Sequence, residues 1–148
     1  MTLPLFFYGT LRDPDVAATV LGRPLTPAHT HAATAPGSRT VFFPGRTYPV
    51  VIRQPGATAE GLLITDVTPF ERDLLDAFEG EDYRRAPLPV MVDSELFEAD
   101  TYLPVAPVTL AHDWSLSRWQ AEHKPQVLHA HAGSAAQLRL RLLALRPH

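Results

Sequence analysis

The chain contains no cysteine. That excludes a disulfide scaffold, a thiolate nucleophile and any thiolate metal site, and it fits a reducing compartment. Long apolar runs are missing too. Near the start there is only the short run Leu3 to Tyr8, ended by Gly9. Such a run is too short for a signal peptide or a membrane span and reads as a buried strand, so no membrane contact and a cytoplasmic address are expected. Nor does one sign of charge dominate. Thirteen Lys and Arg stand against 16 Asp and Glu, for a net charge of -3. The arginines are scattered, apart from Arg139, Arg141 and Arg146 near the end. A clustered basic face for nucleic acid is therefore not expected.

Proline, by contrast, is plentiful. It occupies 15 of 148 positions, about twice the average usage of ~5%. The prolines are spread along the chain, which predicts short elements and long surface loops without an interdomain linker. With 45% hydrophobic and 20% charged residues, residues 1–148 are expected to form one globular domain.

Leu5-Phe6-Phe7-Tyr8 reads as a compact apolar strand, from which Gly9-Thr10-Leu11 turns away. Asp13 and Pro14 suit the cap and first position of a helix. Val16, Ala17, Val20 and Leu21 form its apolar face, and Gly22 stops it. Residues 23–37, rich in Pro, Ala, Thr and His, predict a surface segment. Short strands are expected at Val41–Phe43, Tyr48–Ile52 and Glu60–Asp66, separated by Pro44-Gly45 and Pro55-Gly56. Thr68-Pro69-Phe70-Glu71 is a capping box with proline at the first helical position. Phe70, Leu74, Ala77 and Phe78 predict the buried face of that helix, with Glu79 in its last turn before Gly80. Strands at Leu88–Val92 and Ala99–Leu103 follow, joined by an acidic turn over residues 93–98. A helix is expected from Trp114 to His123. A second capping box, Ser134 to Gln137, predicts a last helix over 135–145, with Leu138, Leu142 and Leu145 inward and Arg139 and Arg146 solvated.

Two stretches could carry chemistry. A glycine directly after a buried strand lets backbone approach a ligand, and successive N–H groups in such a turn form a concavity for an anion. Glu79, beside Phe78 at the negative end of its helix, is placed where both dipole and burial raise a carboxyl pKa toward the range useful for proton transfer. On residues alone, a structural glycine turn and a solvated Glu79 are the readings that come first. The pairs His29/His31 and His129/His131 lack a carboxylate or cysteine at ligand spacing, so no metal is expected. Trp114 and Trp119 could stack on a ligand, but read first as aromatics that pin a helix to the core. Ser115 and Ser117 have neither a nucleophile elbow nor a partner base.

Taken together, Phe6-Phe7-Tyr8-Gly9-Thr10-Leu11, Glu60-Gly61, Leu75-Asp76-Ala77-Phe78-Glu79 and Tyr83-Arg84-Arg85 resemble the signature of the gamma-glutamylcyclotransferase-like superfamily, nearest its plant avirulence-induced and bacterial branch. Gly45-Arg46-Thr47-Tyr48-Pro49, Ala99-Asp100-Thr101-Tyr102 and the segment from Trp114 to Trp119 support the likeness, which runs from about residue 5 to 128. The resemblance implies an α+β fold, a compact mixed β-barrel with short flanking helices. It also implies a small-molecule gamma-glutamyl substrate, no cofactor, and Glu79 as general acid-base for cyclisation to 5-oxoproline with release of an amine or amino acid. Tyr8, Gly9, Thr10, Leu11, Arg12 and Tyr83 are the substrate-binding candidates it implies. After the loop the chain departs from the family pattern at Arg12-Asp13-Pro14, which leaves the leaving group open, and the oligomeric state is equally open. The alternatives are a non-catalytic binding module on the same fold and an acyltransferase acting on a different amide.

Overall fold

The computed structural model describes residues 3–108 and 111–145. Strand β1, Leu5–Phe7, is apolar throughout and buried throughout. Its side chains alternate between two cores, as strand geometry requires. Phe6 joins Tyr8, Ala33, Ala35, Val51, Ala59, Leu63, Val90 and Ala99 in one cluster drawn from every strand. Leu5 and Phe7 join Leu11, Val16, Val20, Leu75 and Trp119 in a second, packed between strands and helices.

The strands are β1, β2 (Thr30–Phe42), β3 (Pro49–Ile64), β4 (Tyr83–Val92) and β5 (Glu95–Pro104). They close into a barrel in the order β1-β3-β2-β4-β5. Two antiparallel hairpins supply most of the ladder. The seams are thin: β1 meets β5 in parallel at Leu5↔Asp100, and β2 meets β4 at Thr34↔Met91. Fully buried Thr101 reinforces the first seam by donating its hydroxyl to the Phe6 carbonyl at 2.8 Å. Among the described residues the helices are α1 (Pro14–Leu21), α2 (Pro69–Glu79), α3 (Leu116–Glu122) and α4 (Lys124–Leu145), and single 3-10 turns lie at Thr10–Arg12 and Pro27–His29. Among the described residues no helix is long and apolar enough to cross a membrane. The expected α+β barrel with flanking helices is the observed architecture.

Several local expectations are corrected. The segment expected on the surface at residues 23–37 contains the first half of β2, because Ala33 and Ala35 are small enough to fill the barrel interior. Pro55-Gly56 does not separate two strands. It lies within the 16-residue β3, where the register jumps from Ser38↔Arg53 to Pro36↔Thr58. Gly37 and Gly56, at φ 75° and 85°, absorb the resulting bulge. Prolines therefore shorten the strands less than their number suggests. β4 contacts β2 at one register position and so tolerates Pro87 and Pro89. The β4–β5 turn is only Asp93-Ser94, both at positive φ, the geometry of a two-residue hairpin turn.

The helices show the same pattern. α1 and α2 begin and end where their caps place them. Asp13 accepts from the N–H of Asp15 and Val16, and the Thr68–Glu71 capping box is complete. The buried face of α2 is rotated from the expected one: Ala77 is exposed while Leu75 is fully buried. Glu71 and Arg72 are buried beside it because each has a partner. The Glu71 carboxylate accepts two bonds from Arg23, at 2.6 and 3.1 Å. Arg72 donates to the Leu3 carbonyl and pairs with Asp100. α3 starts at Leu116 with Ser115 as its cap. Trp114 lies before it, next to Asp113, which bridges to Val41, and donates its backbone N–H to the Thr40 carbonyl at 3.2 Å. Ser134 caps nothing. It lies inside α4, which starts ten residues earlier with Pro125 in its first turn. Leu138 and Leu142 are half-buried. Arg139 is not solvated, since its Nη1 donates to the Thr19 and Val20 carbonyls in the last turn of α1 at 2.6 and 3.2 Å. That satisfies groups which a helix end leaves unpaired. The side chain of Leu145 and all of Arg146 lie outside the described residues.

Two glycines should respond oppositely to a methyl group. At Gly61 a Cβ would meet the Phe7 carbonyl oxygen and the Phe6 ring, the latter at 2.6 Å. Gly61→Ala should therefore cost about 2 kcal/mol or more in urea unfolding. Gly133 lies within α4 and would bring its Cβ into open space, so Gly133→Ala should stabilise by about 0.5–1 kcal/mol. Equal effects would contradict this packing.

Candidate active site

One cavity of about 420 Å³ opens between the end of β1, the β2–β3 loop, the C-terminus of α2 and helices α3 and α4. Phe7, Tyr8, Gly9, Thr10 and Leu11 form one wall, Thr47, Tyr48 and Pro49 another, and Phe78, Glu79, Tyr83 and Tyr102 a third. Trp119, Val127, Ala130 and His131 complete it. The structure thus brings together six of the seven expected site residues. The seventh, Arg12, turns away into a separate cleft with Arg39, Glu60 and Asp113. The reason is local: Thr10–Arg12 is a 3-10 turn, which fans successive side chains in different directions.

That turn also disposes the backbone. Arg12 N donates to the Gly9 carbonyl and Asp13 N to that of Thr10, both at 3.0 Å. The bonds of the turn begin at Arg12, so the N–H groups of Thr10 and Leu11 have no partner within it. Gly9 lets Pro49 close over the loop, because a Cβ there would lie 2.9 Å from Pro49 Cγ. Asp13 anchors the turn from behind. It is fully buried, with one oxygen on the α1 N-terminus and the other taking Gln120 at 2.7 Å and Lys124 at 3.0 Å. Burial opposes its charge, but the bonds from Gln120, Lys124 and the Val16 N–H win and hold its carboxyl below the usual range.

Glu79 closes α2, and Gly80 follows at φ 75° to take the chain out. The carboxyl is pushed up to about 8, first by desolvation and second by the negative charge of Asp76. Desolvation dominates because the surrounding wall is mostly aromatic and aliphatic, and among the described residues that line the cavity none is a lysine or arginine.

The three tyrosine hydroxyls donate to partners other than Glu79. Tyr8 Oη donates to the Tyr102 carbonyl at 2.6 Å, Tyr102 Oη to Asp76 Oδ1 at 2.6 Å, and Tyr83 Oη to the Pro49 carbonyl at 2.7 Å. Burial raises all three phenols, so they stay neutral. Tyr83 therefore directs its proton to the backbone and not to Glu79. Its ring packs with Phe43 and Tyr48, at 5.7 and 6.2 Å between centroids. The indole of Trp114 donates to the Thr47 carbonyl at 3.0 Å and pins the loop that carries Tyr48.

Sequence reasoning missed Tyr48, Tyr102 and His131 as cavity residues and put Trp119 in the core before a ligand-stacking role. The first two stand inside the supporting motifs. His131, weighed only as half of a metal pair, instead sets its ring edge-on to Phe78 at 4.8 Å, and burial lowers its pKa.

The same architecture occurs elsewhere. The model of the family described as gamma-glutamyl cyclotransferase, AIG2-like, matches residues 5–121. AIG2-like protein A of Arabidopsis thaliana is 30% identical over 128 residues, covering 84% of this chain and 76% of that one. The solution structure of an Arabidopsis thaliana protein superposes with a TM-score of 0.66 at 25% identity, covering 90% of this chain and 82% of that one. A structure titled gamma-glutamyl cyclotransferase superposes at 0.57 with 12% identity, over 100% of this chain and 90% of that one, a likeness of fold.

The half-buried acid has a consequence for stability. Its folded pKa of about 8 lies above its ordinary value of 4.5. Between those values the native state holds a proton that the unfolded chain has released, so stability falls as pH rises through this window. Glu79→Gln removes that loss. The variant should melt at the wild-type temperature near pH 4.5 and several degrees above it at pH 9. Parallel Tm–pH curves would show that Glu79 is not held out of water.

Proposed function

Because the chain belongs to the gamma-glutamyl cyclotransferase, AIG2-like family, we propose that it cyclises a small gamma-glutamyl compound to 5-oxoproline and releases an amine or amino acid. The observation that carries this reading is Glu79, a carboxyl with its pKa near 8, sharing one cavity with the backbone of Thr10 and Leu11. In the proposed reaction the ionised Glu79 takes a proton from the substrate's α-ammonium group. The freed amine attacks the substrate's own δ-carbonyl carbon and closes a five-membered ring. Protonated Glu79 then gives the proton to the leaving nitrogen as the original amide C–N bond breaks. The regenerated carboxylate takes the second proton from the ring nitrogen and passes it to the departing amine, which leaves as its ammonium while Glu79 returns to its starting state.

The nucleophile belongs to the substrate, so the protein's tasks are proton transfer and orientation. Ring closure within one molecule already has a high effective molarity, and a preformed cavity adds to it by holding the reactive conformer. The N–H groups of Thr10 and Leu11 are the proposed donors to substrate anionic oxygen, where backbone dipoles act without reorganising. A base whose pKa lies near that of the group it deprotonates transfers the proton at little cost in either direction. An ordinary carboxylate near 4.5 would be too weak.

The test is 5-oxoproline release from a panel of gamma-glutamyl amines, gamma-glutamyl amino acids and glutathione. At least one compound should turn over, with kcat/KM rising through about pH 8 as free Glu79 ionises. Glu79→Gln should lose at least ~100-fold while remaining folded. No release from any compound, or undiminished release by the variant, would overturn the reading.

A further inference from the structure

Behind the cavity wall, a chain of hydrogen bonds gives a task to a residue that does not line the cavity. Asp76 precedes Glu79 by three positions on α2, which puts both carboxylates on one side of the helix. Asp76 Oδ1 accepts the Tyr102 hydroxyl at 2.6 Å, and its Oδ2 faces the Arg85 guanidinium at 3.6 Å. Tyr102 is held at its other end as well, since its carbonyl accepts the Tyr8 hydroxyl at 2.6 Å. Asp76, Tyr102 and Tyr8 thus join the base-bearing helix, through β5, to the residue immediately before Gly9.

Resting on Glu79 as the proton-transfer group, we propose that Asp76 is its positioning residue. Its charge favours the protonated form of Glu79, and its grip on Tyr102 fixes the wall between Glu79 and the loop at residues 9–11.

The other titratable groups facing this region come from each packed element. Tyr8 stands at the end of β1, Tyr48 in the β2–β3 loop, Tyr83 and Arg85 on β4, Tyr102 on β5 and His131 on α4. Asp82, just beyond α2, acts on Tyr48 and Tyr83. Burial keeps Tyr8, Tyr83 and Tyr102 neutral and disfavours charge on His131. Arg85 is already turned to Asp76. Asp76 is therefore the formal charge that bears on Glu79 most directly, and after desolvation it is the cause that keeps Glu79 from ionising.

The experiment follows the side-chain carboxyl carbons of Glu-labelled protein by NMR across pH. Glu79 is identified by the resonance missing from Glu79→Gln, and the spectra also report folding. Asp76→Asn keeps an oxygen for Tyr102 but removes the charge, and should lower the Glu79 midpoint by about one unit. Tyr102→Phe keeps the charge but cuts the tether, and should leave the midpoint within about 0.3 unit while raising KM several-fold for the best panel compound. With that compound the rising limb of the Asp76→Asn profile should move down by the same unit. An unchanged midpoint in Asp76→Asn, or an equal shift in Tyr102→Phe, would overturn the proposal. A shifted midpoint without 5-oxoproline from any compound would overturn the cyclisation reading and not the coupling between the two acids.

Discussion

Keeping Glu79 out of water sets the terms for the surrounding structure. A desolvated carboxyl resists ionisation, and a lysine or arginine beside it would cancel the effect and return it to the ordinary range. The cavity wall accordingly offers rings and aliphatic carbon around Glu79, and the Arg85 guanidinium on β4 is turned to Asp76. The dry wall therefore depends on that pair a layer behind it.

The same layer holds the cavity open. Its walls come from separate parts of the chain, and each is tied by a specific bond. Asp13 links the loop turn to Gln120 and Lys124. Tyr83 fixes Pro49, and Trp114 fixes Thr47. Thr101 and Tyr8 bind β1 to β5, where the barrel ladder is thinnest. Most of these acceptors are backbone carbonyls, which settles how the phenols are oriented before any ligand arrives. Preorganisation of this kind is what an intramolecular ring closure demands, since the reacting atoms already share one molecule and only their conformation is left to control.

What could be read from the sequence follows from where the signals are local. α1 and α2 were legible because Asp13-Pro14, Gly22, Thr68-Pro69-Glu71 and Gly80 punctuate them. Those helix ends place the loop and Glu79, so the center of the site was legible too, once its spaced motifs were taken together. The strands were harder. Ala33 and Ala35 look like surface residues until the opposite side of the barrel supplies large partners such as Phe6. Pro55-Gly56 is a turn signal that the long β2–β3 pairing converts into a bulge. α4 was read eleven residues too short because its first half, rich in Ala and His, shows no apolar stripe, and with it went His131 and Ala130 as cavity residues. Arg12 was misplaced for the opposite reason: adjacency to the loop in sequence says nothing of direction once the backbone enters a 3-10 turn.

The most direct measurement of the central claim is a crystal structure with 5-oxoproline, the product, soaked in at high concentration. The account places the lactam in the cavity, its anionic oxygen within hydrogen-bond distance of the Thr10 and Leu11 N–H groups and its ring nitrogen facing the Glu79 carboxyl. Product bound in the Arg12 cleft, or seated in the cavity with Glu79 turned away from the ring nitrogen, would contradict it.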